Sequence, residues 1–318
     1  MRGVVGLVLG TAVVTSAPGA AAADPVDVDR ELHETATRLE IVVEEYNALR
    51  ADLAETTARA RHLTRELRPL ERELAARQQR IGEIATTAYK TQRSGRIAAL
   101  LDVAASGIIL DRMMLLDHLA AAQQREIHGL AAARERHHAA RQLLGSLADR
   151  QRAQKAALAQ RRDRIERQMS TLYAMRERTA PAAAPTGRPA TAAAAGRRPP
   201  VPGGAAGKVL TFAYDQLGKA YQWAGEGPHG YDCSGLTKAA WAAAGVSLPH
   251  NSRRQWDTVR RIGRAELRPG DLVFYYPDIH HVALYLGDGQ IIHATVPGDR
   301  VRIQPIGYAQ VHGYGRVR

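Results

Sequence analysis

The chain of 318 residues contains one cysteine, Cys233, so it cannot form an internal disulfide, and a small cysteine-stapled secreted fold is excluded. Aromatic residues are few, and 13 of the 16 lie in the last 111 positions, among them Trp223, Trp241, Trp256, Phe212 and Phe274. Large side chains supply most of the burial in a compact core. The first 200 residues lack that material, so the globular part is C-terminal. Lysine is also scarce: Lys90, Lys155, Lys208, Lys219 and Lys238 are the full set, and arginine carries the basic charge. No stretch beyond the first two dozen residues is apolar enough to span a bilayer, which takes about 20 residues.

The net charge of +12 favours an anionic partner, whether nucleic acid, acidic membrane or wall polymer. Most arginines are interleaved with acids on what reads as a helix surface, so a solvated helical face is preferred to a nucleic-acid site. Met1-Arg2 gives a positive start, residues 3–14 are apolar, and residues 16–23 are small and end in Ala-Ala-Ala before Asp24. This is the layout of a secretory signal peptide cut near Ala23, with an uncleaved membrane anchor as the rival, disfavoured by Pro18 and Gly19. The mature protein is expected to be secreted, outside the cytoplasm.

Residues 24–178 read as a coiled-coil helical hairpin. Leu32, Leu39, Tyr46, Leu53, Ala60, Leu67, Leu74, Ile81 and Ala88 recur every seven positions, with Val42, Leu49, Leu63, Leu70 and Ile84 between them. Pro69 predicts a kink. Ser94-Gly95 interrupts the pattern, residues 98–119 are dense in Leu, Ile and Met, and a charged helical pattern then returns to Tyr173. The apolar tip either packs a small cap or forms an exposed docking surface, since methionine-rich patches suit adaptable binding. Residues 179–207 carry six prolines and no acidic or large apolar residue, which predicts a flexible linker.

Residues 208–318 read as an α+β domain with helices before an antiparallel sheet: helices over 208–217 and 233–244, strands over 271–276, 281–286 and 290–296. Asp232-Cys233-Ser234-Gly235 puts the sole thiol at a helix N-terminus with Asp232 as cap. There the helix field stabilises a thiolate, so a lowered thiol pKa in a groove open to solvent is expected. A thiol nucleophile needs an imidazole base and a group to orient it. His281 and His293 flank a Gly287-Asp288-Gly289 turn. A three-residue loop puts His281 on the face of His293, whereas a two-residue turn selects His280; His281 is preferred. A zinc site from Cys233, His281 and His293 lacks the usual close ligand pairs, and neither metal nor cofactor is expected.

Tyr221-Gln222-Trp223-Ala224-Gly225, Asp232-Cys233-Ser234-Gly235-Leu236, Leu248-Pro249, Ser252, Gln255, Pro269-Gly270-Asp271-Leu272-Val273, His281 through Gly287 and Ile292-His293-Ala294 together resemble the successive motifs of the NlpC-type cysteine peptidases, papain-like hydrolases of bacterial cell-wall peptides. The resemblance implies a papain-like fold with Cys233 as nucleophile, His281 as general base and His293 as the orienting third member. It also implies Tyr221 beside the developing oxyanion, Asp232 and Ser234 lining the acyl-side subsite, and hydrolysis between D-glutamate and the following diamino acid of peptidoglycan stems. His250 stands where such domains commonly have arginine.

The helical half is similar in layout to the coiled-coil regulators of actinobacterial division hydrolases. That likeness implies helices that occlude the active site and a tip, around 98–119, that docks on an FtsX-type membrane protein. A non-catalytic wall-binding division adaptor and an acyltransferase on the same scaffold are the alternative readings.

Overall fold

The computed structural model describes residues 25–93, 108–179 and 202–318. The expected signal peptide, most of the linker and the first part of the apolar tip lie outside the described residues. Helix α1 spans Pro25–Arg93 and α2 spans Ile108–Thr179. Between Pro25 and Arg93 the only glycine is Gly82, and Ala, Leu, Glu and Arg dominate, all strong helix formers. α1 runs through Pro69 without a break and stops just before Ser94-Gly95.

The two helices pair antiparallel. Arg161 meets Glu45, Gln151 meets Thr57, Arg141 meets Glu71, Arg136 meets Glu73 and Glu126 meets Arg80, so positions rise on one helix as they fall on the other. Of the tip, Met113, Met114, Leu115, Leu116 and Leu119 on α2 are exposed. No helix among the described residues is long and apolar enough to cross a membrane.

The C-terminal part is an α+β papain-like domain. Helix α3 spans Gly204–Asp215, starting a turn earlier than the composition of the linker predicts, and packs on α4, Cys233–Ala243. A short parallel pair joins β1, Ala220–Tyr221, to β2, Gly230–Tyr231. α5 is Ser252–Thr258. The main sheet contains β3 Arg260–Ile262, β4 Leu272–Tyr275, β5 His281–Gly287, β6 Gln290–His293, β7 Arg302–Pro305 and β8 Val311–Arg316, in the order β3-β8-β4-β5-β6-β7, antiparallel throughout.

Strand alternation divides the core. Leu272, Phe274, Val282, Leu284 and Ile292 pack with Leu210, Leu236 and Ala240 of the helices, while Val273, Tyr275, Ala283 and Ile291 form a second cluster with Ile306. A third cluster joins the arm to the domain: Leu39, Val42 and Val43 of α1 and Ile165 and Leu172 of α2, against which Trp223 and Val296 pack.

Candidate active site

Asp232 caps α4 with extended backbone, φ −91° and ψ 179°, and its Oδ1 accepts from the Gly235 amide at 2.7 Å. That cap fixes Cys233 in the first turn, where the sequence places it. His281 opens β5 and His293 closes β6.

The turn between these strands is the two-residue Asp288-Gly289, with φ of 50° and 70°, and Gly287 pairs with Gln290. This corrects the three-residue loop expected from sequence. On its own a two-residue turn would set His280 beside His293, but a register shift between Tyr285 and Gly287 inserts one residue and restores the parity. His281 and His293 therefore share a strand face, and His281 Nε2 lies 2.9 Å from His293 Nδ1. His293 Nε2 in turn donates to Gln304 Oε1 at 2.8 Å. That leaves His293 Nδ1 as acceptor, His281 Nε2–H as donor, and a lone pair on His281 Nδ1.

The groove is not open to solvent. Cys233 is only 1 % exposed, because α1 lies across it. Glu40 Oε1 contacts His281 Nδ1, and a Glu40 oxygen, Cys233 Sγ and a His281 ring nitrogen lie within 4.8 Å of one another. Glu44 Oε1 accepts from Ser234 Oγ at 2.6 Å and stands 3.6 Å from Cys233 Sγ. Its Oε2 accepts from the Ser252 amide at 2.7 Å, Asn251 Nδ2 at 2.8 Å and Ser252 Oγ at 3.0 Å. Asn47 Nδ2 donates to Asp232 Oδ2 at 2.9 Å, and the Tyr46 ring meets Trp223 edge-on at 5.3 Å.

Burial and these carboxylates set the protonation states. Desolvation, reinforced by Glu44, Glu40 and Asp232, pushes the Cys233 thiol well up, the reverse of the depression expected at a helix N-terminus; the helix field loses to a water-free, acid-lined site. Burial raises Glu40 to about 8, and burial together with Asp232 raises Glu44 to about 7. Burial lowers His281 to about 3 and holds His293 well below the usual histidine range, with His281 adding to the second effect. In this closed arrangement a neutral Glu40 carboxyl donates to the His281 Nδ1 lone pair, and the thiol keeps its proton.

Tyr221 is buried beside the same groups. Its hydroxyl has no hydrogen-bond partner among the described residues, and burial, then Asp232 and Cys233, pushes it well above the usual tyrosine value. Ser234 and Asp232, expected in the acyl-side subsite, are occupied by Glu44 and Asn47. Asp232 also accepts from His250 Nε2 at 2.8 Å, and His250 Nδ1 reaches Glu226 at 2.7 Å. Burial works against a charge on His250, yet Asp232 and Glu226 raise its pKa above the ordinary value.

Residues 218–313 match the model of the NlpC/P60 family. The C-terminal region is an NlpC/P60 domain. The chain is 43 % identical over 109 residues to the probable endopeptidase p60 of Listeria monocytogenes, a match covering 34 % of this chain and 21 % of that protein. It is 36 % identical over 136 residues to the peptidoglycan endopeptidase RipA of Mycobacterium tuberculosis, covering 38 % and 29 %. Among solved structures, the peptidoglycan hydrolase RipB of Mycobacterium tuberculosis is similar at 34 % identity over 36 % of this chain and 64 % of the other, with a TM-score of 0.33. The chain spans less than a third of the length of the p60 and RipA proteins that it matches.

Sequence reasoning missed the groups that fill the groove of the NlpC/P60 domain. Glu40, Glu44 and Asn47 occupy positions i, i+4 and i+7 of α1, one face of a helix, and Ile41-Val42-Val43 widens the apolar stripe just there. A polar stripe beside a locally broadened apolar one was the available signal, though it reads equally as a solvated helix face.

Proposed function

We propose that this protein is a peptidoglycan endopeptidase whose NlpC/P60 domain cuts stem peptides through Cys233, His281 and His293, and whose helical arm holds the site shut. The observation that carries the reading is the relay from Gln304 through His293 to His281, which leaves one imidazole lone pair beside the only thiol of the chain. With α1 withdrawn, that lone pair takes the Cys233 proton, and the resulting thiolate attacks the scissile carbonyl. The Cys233 amide and the partnerless Tyr221 hydroxyl are the donors available to the oxyanion. Protonated His281 gives its proton to the leaving amine, forming the acyl enzyme, and then activates the water that releases it. The bond proposed is the one between D-glutamate and the following diamino acid. The first two dozen residues support a site of action outside the cytoplasm, and the exposed tip methionines and leucines support docking to an FtsX-type membrane protein.

The sealed, protonated thiol is the one observation that favours a second reading, a wall-binding adaptor without catalysis. Digestion of purified wall peptides, followed by mass spectrometry, separates the two. The full chain carrying Glu40→Ala and Glu44→Ala should release stem-peptide fragments faster than the parent, and adding Cys233→Ala should lower that rate by about 10⁴-fold or more, as removal of a catalytic nucleophile does. Hydrolysis that survives Cys233→Ala would refute the mechanism. Its absence from both chains, with fragments still bound, would favour the adaptor.

A further inference from the structure

Among the described residues, Glu40, Cys233 and His281 form a group of potential metal ligands, all buried, with one ligand atom from each within 4.8 Å of the others. Two belong to the proposed catalytic machinery, and the third comes from α1. We propose that the closed form is a binding site for a soft divalent cation of the zinc class, with Glu40, Cys233 and His281 as ligands, so that the ion clamps the arm onto the thiol. The regulatory meaning of this site rests on the peptidase reading; the binding itself does not.

Ligand chemistry supports it. Thiolate, imidazole and carboxylate are the three donor types zinc accepts, at about 2.0 to 2.3 Å. Tetrahedral ligands at those lengths stand about 3.5 Å apart, so no pair closes by much more than about an ångström, and Glu40 and His281, already in contact, move apart to admit an ion. His293 is no part of it, because its ring nitrogens are taken by His281 and Gln304. The site therefore differs from one built on both histidines of the relay.

A second observation is independent of that trio. His280 is 5 % exposed, its Nδ1 lies 2.6 Å from Asp278 Oδ1, and its Nε2 has no hydrogen-bond partner among the described residues. With Nδ1–H donating to Asp278, Nε2 carries a lone pair, and it sits 4.0 Å from Glu40 Oε2. A buried imidazole nitrogen aimed at a ligand carboxylate, with its other nitrogen on an acid, has the outer hydrogen bonding of a metal-bound histidine. His280 thus stands beside the trio as a buried imidazole next to its carboxylate. His281 has matching outer support from His293.

Charge points the same way. Among the described residues Glu40 contacts His281 and His280 rather than a lysine or arginine. A dication displaces the Glu40 and Cys233 protons, so two positive charges leave as one doubly charged ion enters, and the sealed site gains no net charge.

Cobalt(II) is the probe, since it takes the place of zinc and is coloured. Titrated into the metal-free full chain, it should bind once per chain with a near-ultraviolet thiolate-to-cobalt band and the visible bands of a tetrahedral ion, and zinc should displace it. Cys233→Ser should remove the thiolate band. Glu40→Gln, which keeps the size of the side chain, should bind at least tenfold more weakly, and Glu40→Asp, which keeps the carboxylate, should bind more tightly than Glu40→Gln. Circular dichroism on each variant checks that α1 is intact. A parent chain that binds cobalt without a thiolate band would overturn the proposal, and so would Glu40→Gln binding as tightly as the parent or no more weakly than Glu40→Asp. None of these readings uses hydrolysis: a chain that binds cobalt in this way but cuts no wall peptide loses the peptidase reading alone, and one that cuts but shows no thiolate band loses the metal site alone.

Discussion

The two ends of helix α1 use the same residue type in opposite ways. At the far end Glu71 and Glu73 reach arginines of α2 across solvent, and hydrogen bonding from Arg77, with Arg136 beside it, holds Glu73 below the usual carboxylate value. At the near end Glu40 and Glu44 have no arginine among their partners in the described residues and are sealed against the domain, and burial lifts both well above that value. An exposed glutamate on a long helix is a solubility device of small energetic consequence. A buried one facing a thiol and two histidines is a site component, and its cost is met by the serine and asparagine donors gathered around it.

The largest effect that tests this contrast is at Glu44. Its carboxyl accepts from four donors, and each buried donor left without a partner costs about 1–3 kcal/mol. Glu44→Ala should loosen α1 and raise the alkylation rate of Cys233 by about 10- to 100-fold at neutral pH. An unchanged rate would mean that the apolar cluster around Leu39 and Leu172 alone keeps the groove shut.

The next effect is in pH. Carboxyls raised in the docked state bind protons more tightly there than when free, so docking is strongest while they are protonated and is lost as pH rises through about 7 to 8. The raised Cys233 thiol acts in the same direction at higher pH. His281, lowered to about 3, acts oppositely, since docking forbids its charge and weakens below the ordinary histidine range. The other groups facing the two carboxylates are Asp232, His250, His280 and Asp278. Closure should therefore be tightest in mildly acid solution, between the ordinary carboxylate and histidine values, and relax as pH rises through about 7 to 8. The ratio of Cys233 alkylation in the parent to that in a Glu40→Gln, Glu44→Gln double variant should climb over that range. A flat ratio would show that the two carboxylates do not govern the opening.

How much of this was legible in the sequence follows the range of the interactions involved. Cys233 at a helix start is a local matter of Asp232 capping and Gly235, and it read correctly. The alignment of His281 with His293 is legible for an incomplete reason, because the glycines around Asp288 point to a three-residue loop whereas a two-residue turn and a register shift together give the same parity. The small strands β3, β7 and β8 were missed, being short and weakly apolar. The occluding contacts join positions about 190 to 240 apart, and nothing in a heptad pattern tells which of its polar positions will meet a second domain. The expected depression of the thiol pKa failed for the same reason: it was derived from the helix alone, and the dominant influence comes from a segment far away in the chain.

The smallest effect completes the comparison. Glu73 bridges Arg77 on its own helix and Arg136 on α2, but all three side chains are partly or largely in water, where a pair gains little over its hydrated state and costs side-chain freedom. Glu73→Ala should leave the melting curve and the alkylation rate of Cys233 unchanged within error, although it breaks as many ion pairs as a count of contacts would rank important. If instead Glu73→Ala exposed Cys233 as Glu44→Ala does, the arm would be acting as one rigid lever whose distant pairing sets the pressure on the groove, and the division between a structural far end and a functional near end would have to be given up.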